Sequence, residues 1–90
     1  MNLIAEINEA REKTYGHPKD HFVCTQSMFE AWLKRREQNT TILDDKEKVL
    51  RHTIYMLCEK LTRLAQTPVH KDTWDDIEGY SRAGKRGLGI

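Results

Sequence analysis

The 90 residues include fifteen lysines and arginines against fourteen aspartates and glutamates, for a net charge of +1, which supplies no overall field for duplex DNA and disfavours sequence-specific DNA binding. With 38% hydrophobic and 32% charged residues, the chain is too apolar for a disordered tail and too polar for a membrane protein, and its length allows only a shallow core, so self-association into a homo-oligomer is expected. No apolar run approaches a bilayer span, and the stretch from Met1 to Glu6 has neither a basic leader nor an apolar signal core, so a cytoplasmic location is expected.

Leu3, Ile7 and Ala10 recur at helical spacing, predicting a short first helix from residue 3 to about residue 12. The run Tyr15-Gly16-His17-Pro18 breaks it, because glycine accepts unusual φ and proline suits the first turn of a following helix. A second helix then starts near Pro18. Phe22, Gln26, Phe29 and Leu33 step along one face, Val23, Met28 and Trp32 widen it, and Arg35 to Gln38 turn polar. Residues 38–43 are expected as a loop.

Asp44 followed by Glu47 has the spacing of a capping box and introduces a third helix over 45–66. Its apolar stripe, Val49, Leu50, Ile54, Leu57, Leu61 and Leu64, is expected to pack along the second helix. Pro68 ends that helix, and Asp72-Thr73-Trp74-Asp75 signals the start of a fourth with Trp74, Ile77 and Tyr80 on its inner face. The glycine-rich end is expected to be mobile, giving one helical domain over 1–84 and a flexible tail over 85–90. The predicted fold is all-α: a small bundle with a central antiparallel hairpin and short N- and C-terminal helices, oligomeric. Cys24 and Cys58 lack CxxC spacing, and both are expected as reduced core residues.

Lys60 and Arg63 interrupt the third helix's apolar run and need anions. Phosphate would suit them, with arginine forking onto two oxygens and lysine acting as a point charge. Ion pairs with Glu59 or with Asp72, Asp75 or Asp76 would serve as well. Asp72, Asp76 and Tyr80 share a helical face that could meet a ribose, a base amino group or a divalent ion, although acidic residues in a first turn also cap the helix and complement its dipole. Tyr15, Gly16 and His17 lie beside the free N–H groups of the second helix, where an anion is favoured and a base could stack on Tyr15. Trp32 and Trp74 fall among apolar positions and are expected to be buried. His17 and His21 lack a third ligand at metal spacing, and no P-loop or nucleophile elbow is present, so no metal, cofactor or catalytic residue is assigned.

As an ordered set, Tyr15-Gly16-His17-Pro18 with Phe22, Lys60-x-x-Arg63-Leu64, and Pro68-x-His70-x-Asp72-x-x-Asp75-Asp76-Ile77-x-Gly79-Tyr80 resembles small phage and prophage proteins related to the nucleotide-modification-associated domain. The resemblance implies a helical, nucleotide-related protein working in an infected bacterial cell. It is compatible with phage sponges that sequester a cyclic nucleotide signal of antiviral defence. It also raises all-α nucleoside triphosphate pyrophosphohydrolases, whose magnesium site Glu6-x-x-Glu9 and Asp72-x-x-Asp75 imitate in spacing. A protein-interaction module that inhibits a host factor through an apolar helix face is a third reading.

Overall fold

A computed structural model describes residues 2–39 and 44–90. Four helices follow in order: α1 (Leu3–Tyr15), α2 (Pro18–Glu37), α3 (Asp45–Gln66) and α4 (Lys71–Leu88). The all-α expectation is met. Of the loop expected over 38–43, residues 40–43 lie outside the described residues, as does Met1.

Each boundary has a local cause. Asn2 starts α1, its side-chain oxygen accepting from the backbone N–H groups of Ile4 and Ala5 at 3.2 and 3.3 Å. Gly16, at φ 85°, ends α1, and Pro18 opens α2 behind His17, whose Nδ1 accepts from Lys19 N–H at 3.2 Å. The expected capping box at α3 does not form: Asp44 sits at φ 54° with no side-chain cap, and Glu47 turns to Arg36 and Arg51 instead. His70 occupies the N-cap position of α4, and its Nδ1 lies 2.8 Å from Thr73 Oγ1. Asp72 therefore lies in the first turn rather than capping it.

The C-terminal glycines are the clearest departure from the sequence reading. Residues 85–88, assigned to a tail, continue α4, which closes at Gly89 in the left-handed conformation with Ile90 N–H bonded to Lys85 C=O at 3.0 Å. Gly84 and Gly87 face α3. A Cβ at Gly84 would lie 2.8 Å from Thr53 Cγ2, and one at Gly87 would lie 2.5 Å from Val49 Cγ1. Glycine costs helix propensity, yet here its missing side chain lets two helix backbones approach.

The helices α2 and α3 form the expected antiparallel hairpin: Thr25 Oγ1 donates to Thr62 Oγ1 at 3.0 Å near one end, and Arg36 meets Glu47 at 2.8 Å near the other. On its other side α3 meets α4, also antiparallel, through Lys60–Asp76, Thr53–Gly84 and Val49–Gly87. Among the described residues, α2 and α4 do not touch. These three helices therefore form a single layer with α3 in the middle, and α4, at 18 residues, is a full partner rather than a short appendage.

A single layer buries little. Among the described residues, Cys58 is the one buried apolar side chain, whereas His21, Thr25, Lys60, Thr62 and Thr73 are buried polar groups. The expectation that both cysteines and both tryptophans lie inside fails. Cys24 is exposed, Trp32 is half-buried, and Trp74 is 52% exposed with its indole N–H donated to Pro68 C=O at 2.8 Å. Phe22 is exposed as well. No helix among the described residues is long and apolar enough to cross a membrane.

Candidate functional site

The Gly16 break folds the end of α1 against the end of α3. Thr67 Oγ1 donates to Thr14 C=O, and Gln66 donates to Lys13 C=O at 3.4 Å. His21, buried in the first turns of α2, places Nδ1 3.3 Å from Tyr15 C=O. These polar ties hold open a cleft of about 400 Å³ between the inner side of α1, the start of α2 and the last turns of α3. Its volume falls within the range of small-molecule pockets.

Arg63 is the central side chain of this cleft. Its guanidinium carbon lies 4.4 Å from the centroid of the Tyr15 ring, and Nη2 donates to Glu59 Oε1 at 2.9 Å. The Nε of Arg63 is buried and, among the described residues, has no hydrogen-bond partner. An unmet buried donor on a charged group costs free energy that an anionic acceptor would recover. Arg11 brings a second guanidinium to within 6.0 Å of the same ring, and His70 meets the ring edge-on with centroids 5.9 Å apart. Asn8, Glu12, Gly16, His17, Pro18, His21 and the exposed Phe22 complete the wall beside the N-terminus of α2, whose helix dipole favours negative charge.

The eight residues singled out from the sequence do not form one site. Tyr15, Gly16, His17 and Arg63 line the cleft together. Lys60, Asp76 and Tyr80 form a second cluster on the α3–α4 seam: buried Lys60 pairs with Asp76 at 3.0 Å and stands 5.8 Å from the Tyr80 ring centroid. The cation–anion pairing considered for Lys60 and Arg63 is thus present for both, through Asp76 and Glu59 respectively. Asp72 is exposed and belongs to neither group; its charge helps Asp75 to raise the pKa of Lys71, the Asp75 hydrogen bond at 2.5 Å being the larger cause.

Sequence reasoning missed Asn8, Arg11, Glu12, His21, Phe22 and Glu59 as cleft residues. Phe22 falls in the apolar stripe of α2 by its helical spacing, and spacing cannot say whether a neighbour covers that stripe. Arg11 did carry a signal, standing four residues before Tyr15 and hence on the same face of α1. The imitation of a magnesium site is not assembled within the chain: α1, with Glu6 and Glu9, makes no contact with α4, and no cluster of three or more metal-type ligands occurs among the described residues.

Comparison with known proteins gives a family and a relative. The chain is 25% identical over 80 residues to the gene 55 protein of Mycobacterium phage D29, an alignment covering 89% of this chain and 46% of that protein. The chain thus spans about half the length of the curated relative it matches. No solved structure matches. These findings support the coarser part of the resemblance, a small phage protein of unknown function. A family model described as a domain of unknown function matches residues 4–87, nearly the whole chain, and the protein belongs to that family, DUF6378.

Proposed function

We propose that the protein binds a nucleotide in the cleft between α1 and α2, and that it holds a cyclic dinucleotide signal of antiviral defence without hydrolysing it. The observation that carries the nucleotide reading is Arg63, set against Tyr15 with its Nε buried and unmatched among the described residues. A phosphate at this point gains a charge-assisted hydrogen bond from Nε and the field of the α2 N-terminus. A base finds apolar ring surface on Phe22 and Tyr15, and guanidinium planes that also stack on bases. Lys60 lies outside this lining and takes no part. The cyclic and non-hydrolytic aspects rest on the compatibility of the sequence with phage proteins that sequester a cyclic nucleotide signal.

The test is equilibrium binding to labelled linear and cyclic nucleotides, followed by heat denaturation and identification of what is released. Intact cyclic dinucleotide is the expected product. Arg63→Ala is expected to weaken binding roughly tenfold or more, the worth of a charge-assisted hydrogen bond, with Lys60→Ala changing stability rather than affinity. Tyr15→Phe is expected to retain the affinity that Tyr15→Ala loses. A folded Arg63→Ala protein with wild-type affinity overturns the site, and release of altered nucleotide overturns sequestration.

A further inference from the structure

We propose that a second copy of this chain packs, antiparallel and two-fold related, onto the face of the helical layer opposite the cleft, with Leu57 on the symmetry axis. The contacts made by α3 fix which face this is. Glu47, Tyr55 and Thr62 point to α2, while Val49, Thr53 and Lys60 point to α4. At 3.6 residues per turn, the two open sides of α3 carry opposite chemistry. One side presents Glu59 and Arg63 toward the cleft, and α1 lies against it. The other presents Leu50, Ile54, Leu57, Leu61 and Leu64, none of them buried and Leu61 50% exposed.

Domains are built from at least two packed layers because one layer leaves an apolar face in water. No further described helix of this chain covers the leucine side: α1 is on the opposite face, and α2 and α4 flank α3 without meeting. The stripe is also self-complementary. A two-fold axis at Leu57 brings Leu50 over Leu64 and Ile54 within one residue of Leu61, so each large side chain meets another, as an isologous interface requires.

Charge selects the same arrangement. The antiparallel helices gather residues 34–39, 44–52 and 82–86 at one end, with nine lysines and arginines against four carboxylates. The remaining described residues hold six against ten. The two-fold axis lays the basic end of one copy over the acidic end of the other, which a parallel pairing would oppose. A molecule 54 Å long and 24 Å across has room on one face for the roughly 800 Å² per partner of a standard interface.

The interface lies away from the cleft, so its test is made without nucleotide. Light scattering at high micromolar concentration is expected to return twice the 10.6 kDa chain mass, with dimerisation weakened severalfold by high salt. Under mild copper oxidation, Leu57→Cys is expected to cross-link to itself, the 57–57 bond being identified by peptide mass mapping. Leu50→Cys and Leu64→Cys are expected to link with each other in a mixture rather than each with itself. A monomer mass for the wild type overturns the proposal, as does a dimer in which Leu57→Cys stays uncross-linked while Ile4→Cys on α1 is captured. Leu61→Asp is expected to shift the mass to the monomer; should that variant unfold, the cross-linking pattern decides.

Discussion

The two seams that flank α3 both mix polar and apolar contacts, but they differ in how closely the backbones approach. Toward α2, on either side of the Phe29–Tyr55 ring contact, the ends are polar: Thr25 donates to Thr62, Thr62 lies 3.0 Å from Cys58 C=O and 3.6 Å from Cys24 Sγ, and Glu47 is shared between Arg36 and Arg51. Toward α4, beyond the Lys60–Asp76 pair, the contact is close-packed, with Gly84 and Gly87 drawn against Thr53 and Val49. A polar seam depends on every donor finding its acceptor, whereas a close-packed seam depends on nothing being added. The two should therefore fail under different substitutions.

The largest effect is expected from filling the close seam. Gly84→Ala with Gly87→Ala places methyl groups at 2.8 and 2.5 Å from β-branched side chains that cannot swing aside. Overpacking costs of about 1–3 kcal/mol per site should exceed the helix-propensity gain of about 1 kcal/mol from each lost glycine. Chemical denaturation measures the loss, and adding Val49→Ala should recover the Gly87 part through a non-additive coupling. Equal stability of the double alanine variant and the wild type would show that the seam is not close-packed.

In the polar seam, Thr62→Val keeps the shape but strands the Thr25 hydroxyl, at an expected cost of about 1–3 kcal/mol. Replacing both threonines by valine should restore most of that stability, because no buried donor is left unmatched. If the double variant is the worse of the two, the seam is not held by this hydrogen bond.

The Glu47 end of the polar seam should respond to pH. Hydrogen bonds from Arg36, then Arg51, hold its carboxyl below the ordinary glutamate range, so less proton is bound in the folded state than in the unfolded one. The stability it contributes is full above the unfolded glutamate pKa and drains as pH falls through the lowered folded value. Acid titration of unfolding should show a shallower decline for Glu47→Gln than for the wild type, and parallel curves would remove Glu47 from the account.

The smallest effect, with the opposite sign, is expected at Gly79. A Cβ there meets nothing within 4 Å, so Gly79→Ala should stabilise by about 0.5–1 kcal/mol, read as a small rise in Tm. Set beside Gly84 on the same helix, it separates glycine kept for contact from glycine with no packing role.

Periodicity and breakers determined the helices of this protein. Gly16 and Pro18 separate α1 from α2, Pro68 lies between α3 and α4, and the apolar spacing of α3 marks it as the longest element. These signals are local, arising from backbone sterics and from the 3.6-residue turn. Chemical character was legible too: Arg63 needs an anion, and Tyr15 stands at a break. What the sequence could not decide was which surfaces meet. The leucine stripe reads as a packed core, but α2 and α4 took the two other sides of α3 and left it open. Gly84 and Gly87 read as the start of a tail because a lone helix pays for glycine, and only the approach of α3 to their bare backbone makes them an advantage. The candidate ligand residues split for the same reason. Lys60 and Arg63 lie one turn apart on neighbouring directions of α3 and straddle the edge between the α4 seam and the cleft, so one reaches Asp76 on α4 and the other Tyr15 on α1. Burial and pairing belong to the relations between helices, and those are set by tertiary packing rather than by any window of sequence.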